Sequence, residues 1–202
     1  MLRDENLGAA MRKALLFLCA MLVCGHAWAK ALPPGSIPPD DLGRTPSGEE
    51  VRASALHGKV VVISFWATWC GYCMKEMPVL AGLQATANER GYPLQVVEIN
   101  YEEDHRVFLR AAHLLMPKLP GLIMTWDRTG ALNKSFGLSG SLPTMILLHR
   151  DGTVASVHVG YDEDMLTPLA AEITTLMNEP APPAAATVAN TASTVAAPPT
   201  SH

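Results

Sequence analysis

Cys70 and Cys73, in "FWATWCGYCMKEMP", are the two residues of this chain best placed to do covalent chemistry. A pair three positions apart has three uses: a metal clip, a structural staple, or a redox couple that opens and closes. A structural zinc site takes four ligands, and no second C-x-x-C or paired-histidine element accompanies this one. His105, His113, His149 and His158 are scattered and read as surface or edge residues. Two thiolates suffice for Cu(I) and methionines are plentiful, but Met77, Met124, Met145 and Met177 fall on core-facing positions, where packing accounts for them. A bridge closing so short a loop restricts the unfolded chain very little. The redox reading remains the strongest, with no metal and no cofactor expected.

The spacing suits that chemistry. The pair follows an apolar run and opens a helical one, so Cys70 should lie in the first helical turn. There the unpaired N–H groups and the positive end of the helix dipole favour a thiolate, which makes Cys70 the attacking nucleophile. Cys73, one turn further in, should stay protonated until it attacks the mixed disulfide that Cys70 forms with a substrate.

The flanking segments supply the frame. "KVVVISFWA" is a β-branched and aromatic run with the signature of a strand buried on both faces. A helix is expected from about Cys73 to Arg90, with Met77, Leu80, Leu83 and Ala87 inward and Pro78 kinking it. "LQVVEIN" reads as a second buried strand. "EEDHRVFLRAAHLL" reads as a helix with Val107, Phe108, Ala111, Ala112 and Leu115 on one face. "GLIMTWD" is a third strand, and "TGALNKSFG" a short helix. "PTMILLH" and "VASVHVG" form a hairpin over Asp151-Gly152. A last helix over Glu163 to Asn178, capped by Asp162, turns Leu166, Leu169, Ala170, Ile173 and Leu176 inward. Ahead of all these, "TPSGEEVRASALHGK" suggests a short hairpin over Ser47-Gly48. The class is α/β with a mixed sheet.

Both ends fall outside that frame. In "MRKALLFLCAMLVCGHAWAK", Arg12 and Lys13 precede an apolar run from Ala14 to Val23 and an A-x-A site at Ala27-Trp28-Ala29. This is the pattern of a signal peptide cleaved after Ala29. Its apolar stretch is about half the ~20 residues a membrane helix needs, so no stable membrane insertion is expected. Cys19 and Cys24 would leave with it. Residues 30–46 read as an extended lead-in, 47–179 as the folded domain, and 180–202 as a disordered Pro/Ala-rich tail. A formal net charge of −4 on 202 residues provides no cationic surface for nucleic acid.

"FWATWCGYC", followed downstream by "SLPTMILLHRDGTV" and "HVG", resembles the thioredoxin-fold proteins of the periplasmic TlpA/ResA type, over residues 40–178. The resemblance implies a thiol–disulfide oxidoreductase in which a mixed central sheet is flanked by helices. It also implies an N-terminal hairpin and an inserted helix within Val107 to Pro120. By the same resemblance Leu142-Pro143 is a cis peptide facing the disulfide, with backbone that holds substrate. Glu76, three residues past Cys73, would influence the thiols and accept a proton. Trp69 and Tyr72 would form an apolar surface for docking a substrate chain. The implied partners are a cysteine-containing client, from cytochrome c or copper-site assembly, and a membrane electron donor that re-reduces the pair. Two departures matter. Ser64 stands where thioredoxins carry a buried aspartate, so proton-acceptor work falls to Glu76 or water. Gly71-Tyr72 replaces the usual Gly-Pro or Glu-Pro, and C-G-Y-C also occurs in bacterial disulfide isomerases. A disulfide oxidase or isomerase therefore stays open as an alternative, as does a Cu(I)-binding chaperone, although residues 30–46 are too short for an isomerase's dimerisation domain.

Overall fold

A computed structural model describes residues 32–182. The expected signal peptide, 1–29, and the expected tail from residue 183 onward lie outside the described residues. β1 (Asp41–Arg44) and β2 (Glu50–Arg52) form the N-terminal antiparallel hairpin. Its turn places Gly48 at φ +91°, where a side chain would be strained. β1 falls within the stretch read as an extended lead-in, and it enters the sheet by pairing with a later strand. A 3-10 turn at Ala53–Leu56 leads into β3 (Val60–Trp66), followed by α1 (Gly71–Arg90) and β4 (Leu94–Tyr101). Next come α2 (His105–Leu115), β5 (Ile123–Asp127) and α3 (Ala131–Ser135). β6 (Thr144–Leu148) and β7 (Val154–Val159) form the closing hairpin. A 3-10 turn at Glu163–Met165, capped by the Asp162 side chain, precedes α4 (Leu166–Met177).

The seven strands make one mixed sheet in the order β2-β1-β5-β4-β3-β6-β7. β3, β4 and β5 run parallel, which requires the helical crossovers α1 and α2, while β6 pairs antiparallel with β3. Every residue of β3 is buried, as its sequence demands, because both faces of the sheet are covered. Alternate side chains divide between two cores. Val60, Val62 and Trp66 join the cluster beneath α1, with Leu80 of α1, Phe108 of α2 and Ile173 of α4. Val61, Ile63 and Phe65 pack on the other face with Leu42, Ile99 and Phe136, where the Phe65 and Phe136 rings meet edge-to-face at 5.7 Å.

The helices differ from expectation in detail. α1 begins at Gly71 because Cys70 itself caps it, and it ends at Gly91 in the left-handed conformation. Pro78 lies inside it, leaving the Met74 carbonyl without its helical partner. On α2, Phe108 and Ala112 face the core whereas Val107 is exposed, since adjacent helical positions point about 100° apart. In α4, Leu169, Ile173 and Leu176 are buried, but Leu166 and Ala170 are only half-buried.

Candidate active site

β3 ends at Trp66, and three loop residues carry the chain to Cys70 at the mouth of α1. Cys70 has extended backbone (φ −86°, ψ 99°), and its Sγ accepts the Cys73 backbone N–H at 3.2 Å. The two sulfurs are joined in a disulfide with the Cα atoms 5.3 Å apart. Cys70 retains 6% exposure and Cys73 only 1%, so Cys70 is the more accessible of the two from outside. On reduction, the Cys73 N–H already aimed at the Cys70 sulfur, together with the positive end of the helix dipole, favours its thiolate.

The loop before Cys70 is clamped by a residue that the sequence did not single out. Glu103 Oε2 accepts the Thr68 N–H at 2.8 Å and the Asn100 Nδ2 at 2.7 Å, while its Oε1 accepts from the Thr68 hydroxyl. The Glu103 carbonyl in turn accepts from Trp126 Nε1 at 2.8 Å. Just before it, Glu102 stands at φ +51°, a sharp turn for a non-glycine residue that brings Glu103 back over the loop. In the sequence, "YEED" reads only as acidic residues ahead of a helix.

Glu76 lies one turn beyond Cys73 on the same side of α1. It is 2% exposed, and its Oε1 accepts from the Ser64 hydroxyl at 2.7 Å while Oε2 has no partner. Burial pushes its carboxyl up to about 7, with the Ser64 hydrogen bond pulling the other way. Glu98 is a second buried acid beside this one. It pairs in register with Ser64 across β3 and β4, is 1% exposed, and has an unpartnered Oε1. Burial and the neighbouring Glu76 charge push Glu98 well above the ordinary carboxylate range. A signal for it was present: a charged residue in the middle of "LQVVEIN", a run that otherwise reads as buried strand.

Trp69 and Tyr72 stand out from the site, 68% and 60% exposed, with Lys75 Nζ 5.8 Å from the Tyr72 ring centre. Trp66 is fully buried. The Leu142–Pro143 peptide is cis, and the Phe65–Thr144 pairing puts Pro143 opposite Trp66, at the strand end that leads to Cys70. A mainly apolar groove beside the loop is lined by Met74, Val107, Ala111 and Leu114, together with Thr68 and Arg110. Met77, Met124 and Met145 are buried in the same cluster as the cysteines, and Met177 packs against its margin. His105 lies tilted against Trp126 with ring centres 4.3 Å apart, whereas His149 and His158 pair with Glu179 and Glu172 away from the cysteines.

A disulfide whose outer sulfur caps a helix and whose inner sulfur sits near a buried acid can pass two electrons by exchange alone. With this sheet order, that defines a thiol–disulfide oxidoreductase on a thioredoxin-like fold. The chain belongs to the Redoxin family, whose model matches residues 32–173. It is 33% identical over 132 residues to the thioredoxin-like protein YneN of Bacillus subtilis, covering 62% of this chain and 71% of that one. It is also similar to the thiol-disulfide oxidoreductase ResA of Bacillus thuringiensis strain Al Hakam, at 29% identity over 113 residues. That match covers 56% of this chain and 62% of ResA. A Chlorobium tepidum structure, provisionally described as the thiol:disulfide interchange protein DsbE, superposes with a TM-score of 0.62 at 27% identity. The superposition covers 73% of this chain and 99% of that one. Among the described residues, no helix is long and apolar enough to cross a membrane.

Proposed function

We propose that this chain is an exported, periplasmic oxidoreductase that reduces disulfides in selected client proteins of cytochrome c or copper-site assembly. The Cys70 thiolate attacks one client sulfur; the client S–S bond breaks and its other sulfur leaves as a thiolate. Cys73 then passes its proton to Glu76, and the Cys73 thiolate attacks Cys70 Sγ in the mixed disulfide. The second client sulfur leaves as a thiolate. Two electrons have moved from the enzyme to the client, and the Cys70–Cys73 disulfide is restored. A membrane donor returns the two electrons. Trp69 and Tyr72 provide the apolar contact for the client chain, and Leu142-Pro143 holds its backbone.

One observation carries this reading: Glu76 is buried, within one turn of Cys73, with a carboxyl whose proton affinity is set near neutrality. A proton acceptor matched to the working pH lets the buried thiol ionise only when its attack is needed. Two measurements test the proposal. Cys70→Ser should abolish reduction of insulin disulfides, and surviving activity would sink the mechanism. The reduction potential of the Cys70–Cys73 couple should fall near or below about −250 mV, on the thioredoxin side of the scale. A value around −120 to −180 mV would place the protein with oxidants and isomerases, and make Gly71-Tyr72 the better guide.

A further inference from the structure

Beneath α1, the face of β3 and β4 is apolar except for one short strip. Along β3 it runs Val62, Ser64, Trp66, and along β4 it runs Val96, Glu98, Asn100, with Ser64 paired to Glu98 and Trp66 to Asn100. Met124 of β5 flanks Glu98, and Met145 of β6 flanks Ser64. From above, α1 presents Cys73, Glu76 and Met77, while α2 and α4 contribute Phe108, Ala112, Leu169 and Ile173. The titratable groups facing Glu98 are therefore Glu76 and, once reduced, Cys73. Among the described residues, no lysine, arginine or histidine forms an ion pair with either carboxyl.

We propose that Glu98 is a positioning residue of the redox centre: it holds a proton beside Glu76 and so gives Glu76 a neutral neighbour while Glu76 exchanges the proton of Cys73. Two carboxylates in one dry pocket without a cation cannot both ionise cheaply, so the pair keeps a proton. Glu98 is the member that keeps it. It lies deeper in the sheet, its Oε1 has no donor, and no hydroxyl donates to it as Ser64 does to Glu76. The directions agree: burial and the neighbouring Glu76 charge both raise the proton affinity of Glu98, whereas at Glu76 the Ser64 hydrogen bond opposes burial. An ionised Glu98 would instead keep Glu76 protonated and block it as an acceptor.

The inference rests on Cys70–Cys73 being the working couple, but its test follows protons, not turnover, so the two can fail separately. Side-chain carboxyl resonances of purified protein labelled with 13C-glutamate would be followed in the disulfide form from about pH 4 to 10. One resonance, absent in Glu98→Gln, should stay at its protonated position through neutrality. A second, absent in Glu76→Gln, should move near pH 7. Glu98→Gln also provides a neutral neighbour, so the Glu76 resonance should still move near pH 7 in that variant. A Glu98 resonance that titrates below about pH 6, or a Glu76 titration displaced by a full pH unit or more in Glu98→Gln, overturns the proposal. Should Glu98→Gln fail to fold, the wild-type spectrum decides alone: two glutamate carboxyls still largely protonated at pH 6 support the pair, and fewer than two overturn it.

Discussion

Replacing Glu76 by glutamine should stabilise the oxidised protein, by an amount that grows with pH. The Glu76 carboxyl titrates near 7 in the folded chain, against an ordinary value of 4.5 that applies once the chain unfolds. Between those values the folded state holds a proton that the unfolded state has released. Stability is thus fully present below about 4.5 and is lost as pH rises through 7. Each pH unit across that interval costs about 1.4 kcal/mol, which brings the whole loss to about 3 kcal/mol. The side chain is nearly inaccessible, so solvent screening does not discount the figure. Glutamine is close in volume, can accept the Ser64 hydrogen bond, and does not titrate. Keeping the protein oxidised removes the cysteines from the titration. Urea unfolding of both proteins from about pH 4 to 8 should give nearly equal stabilities at the acid end. At the alkaline end the variant should lead by about 3 kcal/mol. Parallel stability curves would mean that Glu76 ionises in place without penalty, and the reasoning that makes it the acceptor for Cys73 would be wrong.

Ser64→Ala removes the hydroxyl that holds the Glu76 carboxyl down, so the Glu76 titration, read by NMR or by the pH–rate profile, should move above its present value of about 7. Trp69→Ala and Tyr72→Ala, at largely exposed positions, should change stability by less than about 0.5 kcal/mol. They should raise KM for a protein disulfide while leaving the rate with a small aromatic disulfide unchanged. Glu103→Ala strips the partners from the Thr68 N–H and hydroxyl, and should cost roughly 1–2 kcal/mol in chemical unfolding while speeding hydrogen exchange at Thr68.

Much of the frame was legible because burial on both sheet faces leaves continuous apolar runs, as in Val60–Trp66, and turns leave glycine, as at Gly91 and Gly152. The cysteines were legible for a related reason, since a strand end followed by a helix start fixes where the pair must sit. Residues that act across the fold were harder to see. Glu103 reaches Thr68, 35 positions away in the chain, only because β4 lies beside β3 and the chain reverses at Glu102. The outward turn of Val107 depends on α2 meeting the sheet through Phe108 and Ala112, a rotation that periodicity alone does not fix. Glu98 was visible as an oddity, but its pairing with Ser64 needed the strand register.

That register bears on the serine at position 64. A protein selected only to fold would fill the space under α1 with apolar side chains, since burying one such acid costs about 3 kcal/mol when ionised, out of a typical total of 5–15. Retaining two acids there makes sense only if their protons are used. Once Glu98 occupies β4, an aspartate at position 64, as in thioredoxins, would face Glu98 across the strand pair and Glu76 from above. Three carboxyls in one such pocket would hold two protons among them, one on Glu98 and the second shared between the aspartate and Glu76, so the acceptor for Cys73 would be partly neutralised. A serine avoids that outcome by donating a hydrogen bond to Glu76, lowering its proton affinity towards neutrality without adding charge. Ser64 and Glu98 thus form one arrangement with Glu76, the acceptor placed on the helix and its neutral neighbour on the adjoining strand.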